Sequence, residues 1–136
     1  MATKIKIIPA TEFMEVTPDG LINLATSRQL LAEIIQAEQP PADFEMLVDF
    51  RNTCCDLSLP SIYQLAAELF LHGEAFRRKV ALLVLPGVNF DRACFFETCS
   101  CGLGFSIGAF TDYECAMRWL LSEENRPAND APRAVL

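Results

Sequence analysis

The sequence predicts an α/β protein: a mixed sheet that opens in an antiparallel meander and continues in parallel strands covered by four helices. Three observations predict it. Val80 to Leu85 is an unbroken apolar run between Lys79 and Pro86, the form of a strand buried on both faces. A helical pattern, a second strand from Phe105 to Phe110 and a closing amphipathic stretch follow, and such alternation implies parallel strands joined by right-handed crossovers. Upstream, three short strand patterns have connections too brief for crossovers, which predicts hairpins.

In chain order, Lys4 to Pro9 and Glu12 to Thr17 read as strands, Pro18-Asp19-Gly20 as a turn, and Leu21 to Ala25 as a third strand. Thr26 or Ser27 is expected to cap a helix with Leu30, Leu31, Ile34 and Ile35 on one face. Pro40-Pro41 ends that segment in an extended connection. Met46 to Phe50 is a buried strand and Arg51 to Pro60 a loop. Pro60 suits the first turn of a helix, whose apolar face is expected to hold Ile62, Leu65, Ala66, Leu69, Phe70 and Phe76, with Gly73 near its end. After the strand at Val80, Pro86-Gly87 breaks the chain and Asn89 is expected to cap a helix bearing Phe90, Ala93, Cys94 and Glu97 at three-and-four spacing. Gly102 and Gly104 stop it. Thr111 to Glu114 has the form of a capping box. Tyr113, Ala116, Met117, Leu120 and Leu121 form one face of the last helix. The expected organisation is one domain over residues 1–124 and a flexible tail over 125–136, where two prolines and few core residues occur.

Several local patterns carry a family resemblance. They are Asp19-Gly20-Leu21-Ile22, Leu47-Val48-Asp49-Phe50-Arg51, Lys79-Val80-Ala81-Leu82-Leu83-Val84, and above all Ala109 to Leu120, with its phenylalanine, threonine, acidic residue and later Trp119-Leu120. Together with the element order, they make the chain resemble the SpoIIAA-like branch of the STAS-related families. The resemblance implies a small cytoplasmic domain with a four-helix layer on a mixed sheet, in families that are mostly binding or regulatory modules. In the anti-sigma-factor antagonists a serine at a helix start is phosphorylated. Ser58 and Ser61 lie near the corresponding helix start, but the loop from Arg51 to Pro60 lacks the Asp-Ser/Ser-Gly-Leu-Gly form, so no functional residue is carried over.

Composition narrows the function. Eleven Lys and Arg against 18 Asp and Glu give a formal net charge of −7, which opposes phosphate and predicts no nucleic-acid partner. Arg77, Arg78 and Lys79 read as a solvated connection. No apolar run reaches the roughly 18–20 residues of a membrane helix. The N-terminal residues lack a secretory signal's apolar core, and the expected location is the cytoplasm.

Six cysteines raise metal or redox chemistry, but no Cys-x-x-Cys pair occurs among them. Disulfides do not suit a reducing compartment. Cys94 and Cys115 read as small buried apolar residues, with a thiolate at Cys115, favoured by the helix dipole, as the reactive alternative. Gly102, Gly104 and Gly108 follow a helix rather than a strand, the wrong context for a dinucleotide. The sequence therefore predicts no metal and no cofactor.

The edge beyond the C-terminal ends of the parallel strands, near a switch in strand order, is where a site is expected. There Asp49, Arg51, Asn89 and Asp112 would be the polar groups, and Phe90 and Phe110 the apolar walls. The function expected is a non-catalytic binding or regulatory module with a protein partner, a homodimer being compatible with it. The alternative is a carrier of a small apolar or lipid-like ligand, motivated by ten phenylalanines, several of which crowd the second half and could line a cavity. A thiol-dependent enzyme ranks below both.

Overall fold

A computed structural model describes residues 3–8, 13–36, 45–72, 76 and 78–122. The expected tail, the Pro40-Pro41 connection, Gly73 and Arg77 lie outside the described residues. In chain order the elements are β1 (Thr3–Ile8), β2 (Phe13–Pro18), β3 (Gly20–Ile22), α1 (Leu24–Ile35), β4 (Glu45–Asp49), β5 (Thr53–Cys55), α2 (Leu59–Phe70), β6 (Val80–Leu83), α3 (Val88–Cys101), β7 (Ile107–Phe110) and α4 (Tyr113–Leu121).

Five strands form the main sheet in the order β1-β2-β4-β6-β7, and β3 pairs with β5 in a separate ribbon. β2, β4, β6 and β7 run parallel, and β1 lies antiparallel on β2. The expected three-stranded meander does not form. β4 occupies the edge of β2 that β3 would need, so β3 turns away at Gly20, whose φ of 93° suits glycine. It then pairs in parallel with β5, a strand inside the segment expected to be loop. The strand order also shows no reversal: the chain steps from β2 to β4 to β6 to β7 in one direction, so the expected switch point is absent among the described strands.

The pleat sorts the core into two. Met14, Val16, Met46, Val48, Val80 and Leu82 face α1, α2 and α3, whose Leu30, Ile34, Leu69 and Ala93 complete that layer. Leu47, Ala81 and Leu83 face the other way, onto Ala116 and Leu120 of α4. The four helices are thus not one layer: three cover one face and α4 the other. β6 is buried along its whole length because both faces are covered. At Gly108 an added Cβ would lie 2.9 Å from the Phe110 ring, which packs at a tilt of 45° against Trp119 with 5.5 Å between centroids, so this glycine serves close packing under α4.

Helix starts differ from expectation by a few residues. Asn23 caps α1 in a reciprocal box with Thr26 (2.8 and 2.9 Å). Gly87 precedes α3 without a side-chain cap, which leaves Asn89 inside the helix. Asp112, not Thr111, caps α4 by accepting from the Cys115 N–H at 3.0 Å. Ser58 caps α2, with Pro60 in its first turn as expected. The buried stripe of α4 is narrower than its sequence period, for Tyr113 and Leu121 are exposed.

Lys79 departs furthest from its reading as solvated. It is 3% exposed. Its Nζ donates to the carbonyls of Trp119, at 2.9 Å, and Ser122, and lies 5.6 Å from the centre of the Trp119 ring. The ammonium thereby closes the C-terminal end of α4, where the helix dipole favours a cation.

Candidate functional site

All six residues expected at the site fall at the C-terminal edge of the parallel strands or in the helix starts beyond it, but the sheet divides them. Asp49 and Phe110 end strands β4 and β7, with Phe110 packed on the α4 side. Phe90 packs on the opposite core, beneath α3, and Asn89 precedes it in the same turn. The six do not converge on one centre.

Three of the four polar members, Asp49, Arg51 and Asp112, are already engaged. Arg51 donates to the Asp49 carboxylate from Nε at 3.0 Å and from an Nη at 2.9 Å, and its own N–H donates to Asp49 Oδ1 at 3.0 Å. Burial pushes the Asp49 carboxyl up, but the side-chain and backbone hydrogen bonds and the charge of Arg51 outweigh it and leave the group below its ordinary 3.8. The pair closes the turn after β4. Asp112 is held below its usual range by hydrogen bonds from Cys115.

The thiols do not behave as the helix-dipole argument expects. Cys115 is exposed, and its hydrogen bond to Asp112, aided by burial and the Asp112 charge, pushes its thiol up. Cys94 is half-buried, and burial, then Glu97 and Asp91, push it up as well. Cys54 and Cys55 belong to β5, in the separate two-stranded ribbon. Cys99 and Cys101 end α3, which is about 21 Å long at 1.5 Å per residue. Among the described residues, no group of three or more His, Cys, Asp or Glu is arranged to hold a metal ion, and no helix is long and apolar enough to cross a membrane.

The feature that sequence reasoning did not place is a cavity of about 170 Å³, partly open to solvent, between the sheet and α1, α2 and α3. Phe50, Phe76 and Phe96 line it, with Val48, Leu82 and Val84 as its floor. The crowding of phenylalanines expected in the second half is thus partly a cavity wall, while Phe105 is core and Phe110 belongs to the other face. From Val80 to Val84 the lining spans about 13 Å along β6 and the residue that follows it, at about 3.3 Å per residue. Its few polar members, Ser27, Thr53, Cys55, Asn89 and Arg92, all lie toward the C-terminal edge. Of the six expected residues only Asn89 lines this space. Arg92, three residues on and so on the same face of α3, was the signal the sequence offered.

No family model matches the sequence, and no curated protein does. Among solved structures, a chain from Shewanella loihica PV-4, described as an uncharacterized protein of the DUF3478 family with a SpoIIAA-like fold, superposes with a TM-score of 0.55. The match covers 87% of this chain and 93% of that one, at 17% sequence identity.

The chain has a SpoIIAA-like fold. At that identity the likeness speaks for architecture: an α/β domain with a mainly parallel sheet and four helices. In this SpoIIAA-like domain the cavity occupies the side of the sheet that carries three helices. The α4 side is filled instead by Leu47, Leu83, Leu120 and the Phe110–Trp119 pair.

Proposed function

We propose that this chain is a non-catalytic binding module that takes up a small apolar ligand in the cavity beneath α1, α2 and α3. The cavity itself is the observation that carries the reading. Interiors normally pack to crystal density with few voids larger than a water molecule. A cavity of about 150 Å³ walled by aliphatic and aromatic side chains stays dry and accepts a benzene-sized solute. The space here is of similar size and walled by the same kinds of side chain but is partly open to solvent, so a ligand can enter it from outside, which favours the carrier reading.

Occupancy of the cavity would be what the module reports to a protein partner in any regulatory role. Net charge of −7 opposes a nucleic-acid partner. Six free cysteines favour a reducing compartment, the cytoplasm. The raised thiols of Cys94 and Cys115 weigh against a thiol enzyme.

Native mass spectrometry of gently extracted protein tests the proposal. The expected spectrum contains the chain with one low-mass apolar adduct, lost at higher collision energy. A spectrum of bare chain alone, unchanged after incubation with benzene-sized apolar solutes, contradicts it.

A further inference from the structure

The cavity surface is overwhelmingly apolar, and the few polar residues that line it gather toward one end; that asymmetry points to a class of ligand. Toward the N-terminal ends of the strands its walls are Met46, Val80, Ile107, Ile34 and Leu69, none of which offers a strong hydrogen-bonding group. Toward the C-terminal edge stand Ser27, Thr53, Cys55, Asn89 and Arg92. A molecule filling such a space has a hydrocarbon body and one polar end.

Charge decides the kind of polar end. Among the described residues, Arg92 is the one charged member of the lining, and no aspartate or glutamate shares it. Its helix neighbours three and four residues away, Val88, Asn89, Phe95 and Phe96, are uncharged. No hydrogen bond or ion pair ties it to another described residue. Arg92 is half-buried, and among the described residues no carboxylate lines the cavity beside it. A half-buried cation in that position gains most from an incoming anion, and a guanidinium matches the two oxygens of a carboxylate in a fork.

We propose that the ligand is a single-chain amphiphile with a carboxylate head: the chain lies among the apolar walls and the head pairs with Arg92. This rests on the apolar-ligand reading above. The volume, close to that of cavities that take benzene, and the length of about 13 Å along β6 suit a chain of medium length. Octanoate is therefore the probe, and 1-octanol, octylamine, octyl phosphate and acetate are the comparisons.

Calorimetric titration of the full chain tests the assignment. Octanoate is expected to bind about tenfold more tightly than 1-octanol, the worth of one charge-assisted contact at a partly solvated site. Octylamine should bind more weakly than either, and acetate not measurably. In Arg92→Met, which keeps an apolar stem, octanoate should fall to the level of 1-octanol while 1-octanol is unchanged. Arg92→Lys should restore part of the preference. Equal binding of octanoate and 1-octanol by the natural chain, or a preference that survives Arg92→Met, overturns the carboxylate assignment and leaves the apolar-ligand reading standing. Octyl phosphate binding more tightly than octanoate overturns it in favour of a phosphate head. Binding of neither octanoate nor 1-octanol defeats both readings.

Discussion

Arg51 answers the Asp49 carboxylate with two side-chain bonds and one backbone bond, so a pair that looks like chemistry in the sequence is a clasp on the turn after β4. The consequence is a pH dependence. The folded-state pKa of Asp49 lies below its ordinary 3.8, so the clasp contributes stability in full above that value. The contribution is lost as pH falls from about the ordinary carboxylate range through the depressed folded value. Asp49→Asn keeps an acceptor for the Arg51 N–H but removes the charge. Urea unfolding followed by circular dichroism should show the natural chain more stable than Asp49→Asn at pH 7, with the difference shrinking below about pH 4. Lys79 illustrates the opposite failure of sequence reading. In a run of three basic residues it looks solvated, yet it is buried against the carbonyls that end α4. Nothing local marks it, because its partners lie about 40 residues on.

Among elements, α1 shows how a cap decides where a helix begins. Asn23 and Thr26 exchange side-chain and backbone bonds, and the Thr26 hydroxyl also donates to the Leu21 carbonyl at 2.9 Å, tying the helix start to β3. Asn23→Ala should therefore cost about 1 kcal/mol of unfolding free energy, whereas Ser27→Ala should stay within about 0.5 kcal/mol. Equal effects in denaturant melts would return the cap to the position first expected from sequence. The helices and the four parallel strands were legible because their apolar periods are long and unambiguous: β6 is a continuous run, and α2 repeats Ile62, Ala66 and Leu69. β3 and β5 were not. Each has three residues, too few for a period to register, and their pairing depends on β4 having taken the edge of β2.

For the whole molecule, the side on which each helix lies follows from handedness. α1, α2 and α3 each join parallel strands that advance in one direction, so right-handed crossovers put all three on one face. α4 follows the last strand and joins nothing further in the described chain. Handedness does not constrain it, and it covers the bare face. That distinction was invisible in the sequence, and so was the place of the cavity, for which the crowded phenylalanines were the one signal: a cavity is a small difference between large packed volumes. The asymmetry of the two faces can be measured by overpacking each in turn. Ala116, fully buried on the sheet-facing side of α4, has no room, and Ala116→Leu should cost about 1–3 kcal/mol. Ala93 lines the cavity, and Ala93→Leu should be neutral or stabilising when both variants are compared by urea unfolding.

The most direct test of the cavity as a binding site is a methyl-resolved NMR titration of the full chain with benzene. Saturable shifts are predicted for Val48, Val80, Leu82 and Ile107, which face α1, α2 and α3, with Leu47, Leu83 and Leu120 on the α4 side unmoved. Absence of saturable shifts, or equal shifts on both faces, would contradict the account.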